Sequence, residues 1–537
     1  MKRLQNCFSV LLCTLLCANY TTVAAASKNV NTKEKGKEKG IVILHENDVH
    51  CSYLQGYTAM SRMRNAISDT AWVATVSAGD FMQGQSSGSV SKGQYMIDIM
   101  SAMHYDAVTL GNHEFDYGIE YMNKVLGAGK KDAVLPVTCV NFLSTKTNSP
   151  IFTPCIVKQY GNKRVAFIGA VTAATLKDEG NVFVDSDGRR LPYTIADAEE
   201  LVKRMQSTVD SVRHAGADYV VVLSHLGNDD KRSFLNSQGL IAQTRGIDAV
   251  LDGHTHLVYI NKEPNMDKKP IYVTQTGTQF ANIGKLYISP QGNLVSELVP
   301  LKDTVNYAAT ASAEVVNAVA TVKEKMNSLD NDTLLNTPFT LTVSKNGTWI
   351  IRSEETNLGD LVADAMRHYA GADIAIVNGG SIRNDIPQGR ISTASAIGAM
   401  PYYNDVCKVK ITGDELVQVL DTCCYFAPVA SGCFPQVSGI RFTLQQSAAR
   451  SMVRNVEIFD PATSSYVAVD PKRTYTIVSS KYFIKGTAYG GLIANAPVVM
   501  SYSDTDTDIF IHYLKNVLKG EMPERYRTPQ GRINIER

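Results

Sequence analysis

Side chains able to bind a metal ion or move a proton recur in five short motifs of this 537-residue chain: HENDVH (45–50), SAGDFMQG (77–84), GNHEFDYG (111–118), LSHLG (223–227) and DGHTH (252–256). Asp48, His50, Asp80, Asn112, His225, His254 and His256 offer mixed oxygen and nitrogen donors. That set suits borderline divalent ions such as Zn, Mn, Co or Fe, and it contains no soft thiolate. Seven candidates exceed what one tetrahedral ion needs, and a carboxylate can bridge two ions, so the chemistry pointed to is a two-metal site. HTH at 254–256 could place both imidazoles on one face of a strand or spread them over a turn. His45, His104, His214 and His368 lie away from the recurring motif position and read as structural.

What groups the motifs is their placement. Each closes a short apolar run: IVIL before the first, WVATV before the second, DAVTL before the third, YVVV and AVL before the last two. Short β-branched runs separated by helical stretches predict an α/β architecture, in which the carboxyl ends of the strands open on one crevice. Residues scattered over some 200 positions can converge there. VLPVTCVNF (134–142), IYVTQTG (271–277) and KLYIS (285–289) read as further strands. The alanine-rich, Pro- and Gly-free stretch 308–328 predicts a helix linking two domains, and a second α/β segment follows it.

The length favours two domains. With 53 basic against 52 acidic residues, the net charge of +1 gives no footprint for a nucleic acid polymer or an anionic membrane. Residues 1–26 combine a cationic start, an apolar core and the small run Ala24–Ala26, the pattern of a cleaved export signal. A lipid anchor at Cys17 is disfavoured by the large Leu16. The lysine-rich residues 27–40 read as a disordered leader, and no later stretch is long and apolar enough to span a membrane. The expected mature protein is exported, periplasmic or extracellular, and export permits a disulfide among Cys407, Cys423, Cys424 and Cys433 without selecting the pair.

The series D-x-H, G-D, G-N-H-E, S-H, G-H-x-H resembles that of calcineurin-like metallophosphoesterases, and ILHENDVH, GNHEFDYG and DGHTH followed by NGGSIR resemble the secreted 5′-nucleotidase and UDP-sugar hydrolase family. The resemblance covers nearly everything from Ile41 onward. It implies a helix-flanked metallophosphoesterase β-sandwich over 41–304, a linking helix within 305–335, and an α/β substrate-binding domain over 336–537. It also implies that Asp48, His50, Asp80 and His256 hold one ion while Asp80, Asn112, His225 and His254 hold the other. A hydroxide shared between the ions would attack phosphorus in line. His113 would stabilise or protonate the leaving oxygen, with Asp116 orienting it, and Glu114 would be structural.

In the second domain Arg352, Asn378, Gly380 and Arg383 match family positions that hold phosphate and sugar, and arginine forks suit phosphate. Tyr402 and Phe483 match the aromatic pair that clamps a nucleobase, with Tyr403 and Tyr482 adjacent to each. One departure stands out: the family's G-G-D-G turn after the second aromatic is replaced by KGTAYGG, without an acid. The expected activity is release of phosphate from nucleoside 5′-monophosphates. The alternatives are hydrolysis of UDP-sugars, cyclic or 3′-nucleotides or another small ester, and a non-catalytic nucleotide-binding module, which would lack ligands or the acid.

Overall fold

The computed structural model describes residues 39–130, 133–178, 180–184, 189–228, 235–345, 348–447, 450–485 and 491–536. The expected export signal, almost all of the expected leader and residues 486–490 lie outside the described residues.

Apolar runs such as IVIL and VVVL have no polar alternation because both faces of their strands are covered. Gly40–Glu46 is buried along its whole length. It lies at the centre of a five-stranded sheet ordered Leu294–Pro300, Asn282–Ile288, Gly40–Glu46, Ala71–Ser77, Ala107–Val108. Its pairing with Ala71–Ser77 is parallel and that with Asn282–Ile288 antiparallel. A six-stranded sheet runs Val258–Pro264, Pro270–Thr276, Ala249–Leu251, Tyr219–His225, Lys163–Val171, Ile156–Tyr160. The two sheets meet face to face over Ile41, Ile43, Val76, Phe167, Val221, Leu223 and Leu251.

Helices cover both outer faces. Ala198–His214 is started by Asp197, whose side chain accepts the Glu200 N–H, and it buries Leu201, Met205, Val209 and Val212 at helical spacing. The expected linking helix spans Ala313–Asn331, capped by Ser312. Its Val315, Val319, Val322 and Met326 join the core on the outer side of the first sheet, so the helix is part of that layer. VLPVTCVNF departs from expectation: Val137 and Thr138 form only isolated bridges, and the strand proper is Phe142–Ser144. Pro136 interrupts the ladder there, because it carries no N–H to donate.

The second half holds a five-stranded sheet, ordered Pro435–Ser438, Ile374–Asn378, Thr474–Ser480, Asp405–Thr412, Val498–Thr505, and a four-stranded one. Helix Asn357–Ala370 starts at Thr356, whose hydroxyl accepts the Gly359 N–H, and stops at Gly371 in the left-handed region with φ 54°. Among the described residues no helix is long and apolar enough to cross a membrane.

Candidate metal centre and substrate grip

The strand ends deliver the motifs to one place. Asp48 and His50 follow Gly40–Glu46, Asp80 follows Ala71–Ser77, Asn112 and His113 follow Ala107–Val108, His225 closes Tyr219–His225, and His254 and His256 follow Ala249–Leu251. Five of the candidate ligands sit in the left-handed backbone region: Asp48, His50, Asp80, His254 and His256, with φ from 45° to 79°. Each such residue costs on the order of 1 kcal/mol, a strain that marks sites where geometry outranks stability.

Asp48, His50, Asp80 and His256 bring one ligand atom each within 4.8 Å of one another. His256 Nε2 is 3.3 Å from Asp48 Oδ1, and His50 Nε2 is 3.7 Å from Asp80 Oδ2. His225 Nε2 is 3.2 Å from that same Asp80 oxygen, and its ring stands edge-on to His254 with centroids 5.3 Å apart. His254 Nδ1 in turn lies 2.9 Å from Asn112 Oδ1. The seven expected ligands therefore lie near one another, with one oxygen of Asp80 facing both His50 and His225.

The donor set fits a cation. His50 Nδ1 faces the Gln83 carbonyl at 3.0 Å, and His225 Nδ1 faces the Ala78 carbonyl at 2.7 Å. A carbonyl only accepts, so both Nδ1 atoms carry protons, and a neutral ring then turns a lone pair inward through Nε2. His50 Nε2 meets His256 Nε2 at 3.0 Å, and His225 Nε2 meets a carboxylate oxygen. A cation between these atoms would satisfy all of them at once. The carboxylates call for positive charge here, a proton on the ring or a cation in its place: burial alone would lower the His225 value, yet Asp80 and Asp48 drive it up to about 10. Burial would likewise raise the Asp80 carboxyl, yet His225, His113 and His50 hold it well below its ordinary range.

In GNHEFDYG, His113–Phe115 form one 3-10 turn, with Asn112 and Asp116 helical on either side. That turn brings His113 Nδ1 to 2.9 Å from Asp116 Oδ2, and the His113 ring stands edge-on to His50 with centroids 5.4 Å apart. Glu114 is fully buried and accepts four backbone N–H groups, those of Gly111, Asp80, Phe81 and Met82. It is a clamp between two ligand loops.

A second cluster forms around Trp349, a residue the motif reading passed over. Its ring carries the guanidinium of Arg352 at 4.8 Å and that of Arg383 at 4.8 Å. Arg383 donates to the Tyr402 hydroxyl at 2.8 Å. A tryptophan three residues before an arginine was the available signal. Asn378 ends the strand Ile374–Asn378 and accepts the Ser381 hydroxyl at 2.8 Å. Gly379 and Gly380 are small for an internal reason: a Cβ would lie 2.2 Å from the Ile351 carbonyl at the first and 3.0 Å from the Gly432 carbonyl at the second. Gly380 N–H donates to Gly432 O at 2.9 Å.

Phe483 requires correction. It is fully buried in the core of the second half, among Ile477, Phe434 and Ile484, and has no face for a base. Burial of such a ring is worth about 1.5–3 kcal/mol, which exposure would forfeit. Its neighbour Tyr482 is only half-buried. The downstream acids are committed elsewhere: Asp504 accepts the Tyr369 hydroxyl, Asp506 is buried against Asn404, and Asp508 caps a helix with Thr505.

Family models match residues 340–490, as the 5′-nucleotidase C-terminal domain, and residues 73–272, as Bacterial capsule synthesis protein PGA_cap. The Trifunctional nucleotide phosphoesterase protein YfkN of Bacillus subtilis is 24% identical over 89% of this chain, which spans 34% of that protein's length. The 5′-nucleotidase of Vibrio parahaemolyticus is 24% identical, with 89% of each chain covered. Among solved structures, the 5′-nucleotidase precursor from Thermus thermophilus shares the fold, with a TM-score of 0.68, 22% identity, and 92% of this chain and 99% of that one covered.

Proposed function

We propose, for a chain that belongs to the 5′-nucleotidase family and so to the metal-dependent phosphoester hydrolases, release of phosphate from nucleoside 5′-monophosphates. Two divalent ions, of Zn, Mn, Co or Fe, would be held by Asp48, His50, Asp80 and His256 and by Asp80, Asn112, His225 and His254. When bound, such ions acidify water for in-line attack at phosphorus and neutralise the phosphoryl oxygens.

The chain's own groups do the rest. Asp116 accepts the Nδ1 proton of His113, which fixes the ring and leaves Nε2 to give a proton to the departing oxygen. Arg352, Asn378 and Arg383 grip phosphate and sugar, Gly380 shapes the turn beside them, and Tyr402 flanks the base. Tyr482 replaces Phe483 as its partner. The observation that carries the reading is the convergence of His50 and His256 Nε2 at 3.0 Å beside Asp48 and Asp80, with the His113–Asp116 pair adjoining.

A broader specificity is favoured by one observation. The chain has no acid in KGTAYGG, and Asp504, Asp506 and Asp508 are engaged elsewhere, so the grip on ribose hydroxyls is weakened. UDP-sugars and cyclic or 3′-nucleotides are then secondary substrates. Export to the periplasm or exterior rests on residues 1–26.

Purified metal-loaded protein assayed against AMP, 3′-AMP, 2′,3′-cyclic AMP and a UDP-sugar should hydrolyse AMP best, with two ions per chain by elemental analysis. Intact AMP alongside turnover of another ester would refute the 5′-nucleotidase assignment.

A further inference from the structure

Beside the grip just proposed, two thiols meet that hydrolysis does not use. Cys423 lies on helix Gly413–Cys424, and Cys433 lies in the loop before strand Pro435–Ser438. Cys433 Sγ donates to the Cys423 carbonyl at 3.4 Å and shares a hydrogen bond with Ser431 Oγ at 2.9 Å. The two free thiols are also hydrogen-bonded to each other, and that contact with Cys423, against the opposing effect of burial and helped by the contact with Ser431, holds the Cys433 thiol down at about 7. Cys424, one residue on, is turned about 100° round the helix.

The loop that carries Cys433 backs three residues of the grip, Arg352, Asn378 and Gly380. Ser431 N–H donates to Arg352 O at 2.9 Å, Gly432 O accepts from Gly380 N–H at 2.9 Å and from Asn378 Nδ2 at 3.4 Å, and Phe434 O accepts from Gly379 N–H at 2.7 Å. A change at Cys433 is therefore one covalent bond away from the backbone that sets Arg352, Asn378 and Gly380.

We infer that Cys423 and Cys433 are an oxidisable pair whose disulfide resets the substrate grip. A peroxide is the oxidant, small enough to enter beside residues that are 2% and 7% exposed. The Cys433 thiolate attacks one peroxide oxygen: an S–O bond forms, the O–O bond breaks, and the second oxygen leaves as hydroxide and takes up a proton. Cys423 then attacks the resulting sulfenic sulfur; the S–S bond forms, the S–O bond breaks, and the thiol proton leaves with that oxygen as water. Two thiols and one hydrogen peroxide give one disulfide and two waters. The bridge removes the Cys433–Ser431 hydrogen bond and draws the loop toward the helix.

The consequence for substrate rests on the function proposed above; the linkage itself does not. Reduced full-length protein would be exposed to hydrogen peroxide, alkylated, digested with trypsin and chymotrypsin, and mapped by mass spectrometry. The bridge should persist in Cys424→Ser and vanish in Cys423→Ser, where dimedone should trap a sulfenic acid at Cys433. The bridged wild type should show KM raised by about threefold or more at unchanged kcat. AMP is the probe, or p-nitrophenyl phosphate if AMP is not turned over. Linkage of Cys433 to Cys424 or Cys407, survival of both free thiols, or a bridged enzyme with the KM of the reduced one would each overturn the proposal. Mapping needs no activity, so a wrong substrate assignment cannot be mistaken for a failed linkage.

Discussion

Glu114 Oε2 accepts the backbone N–H of Asp80 at 2.8 Å, which ties the Asp80 loop to GNHEFDYG. The same oxygen takes the Gly111 N–H at 2.6 Å, while Oε1 takes those of Phe81 and Met82. An amide in its place turns an NH2 toward donors. Glu114→Gln should cost about 3 kcal/mol in urea unfolding and reduce retained metal, because buried charged hydrogen bonds are lost and donors are left unpaired. Unchanged stability and metal content would show that the clamp is dispensable.

His113 and Asp116 predict a different signature. Asp116→Asn leaves the ligands in place but misdirects the imidazole proton, so kcat should fall by about 10²–10⁴ at normal metal content. Elemental analysis beside steady-state kinetics separates this from a metal defect.

Trp349 supports both arginine forks at once. Loss of two cation–π contacts of about 0.5–2 kcal/mol should raise KM roughly tenfold in Trp349→Leu with kcat unchanged. The chain has only two tryptophans, Trp72 and Trp349. In Trp72→Phe the remaining fluorescence reports the grip directly, and AMP should shift its emission; a silent titration would separate Trp349 from substrate.

His45 predicts acid sensitivity. Burial pushes its value from 6.5 down to about 3, and neither ring nitrogen has a hydrogen-bond partner. The folded value lies below the unfolded one, so its contribution is present above pH 6.5 and is lost as pH falls toward 3. The slope should approach 1.4 kcal/mol per pH unit in that window. His45→Phe should flatten the acid limb of stability measured by urea titration; an unaltered limb would mean that other groups dominate.

The convergence of the candidate ligands was legible because they are marked by type and position: each polar cluster closes an apolar run, and here those runs lead into the strand ends that open on one place. Their left-handed backbone was not legible, since Asp and His enter that region more readily than most side chains but still do so in only a small share of cases, too few to single out Asp48, His50 and Asp80. The grip was legible only in part. Arg352, Asn378 and Arg383 are named by motif, but Trp349 acts through stacking, and its spacing from Arg352 is a weak signal that says nothing of Arg383, 34 positions on. Phe483 and Tyr482 show the limit most plainly: both are aromatic, and only the packing of the helix Lys481–Lys485 decides which one is buried.

The two proposed groups of ligands would each straddle the sandwich. Asp48, His50 and Asp80 come from one sheet and His256 from the other; Asp80 and Asn112 come from one and His225 and His254 from the other. Neither sheet alone can assemble a full coordination set, so an ion captured there acts as a rivet through the seam. Metal uptake would then be a late event in folding that reports the docking of the two sheets, and chelation would loosen them from each other before either sheet unravels.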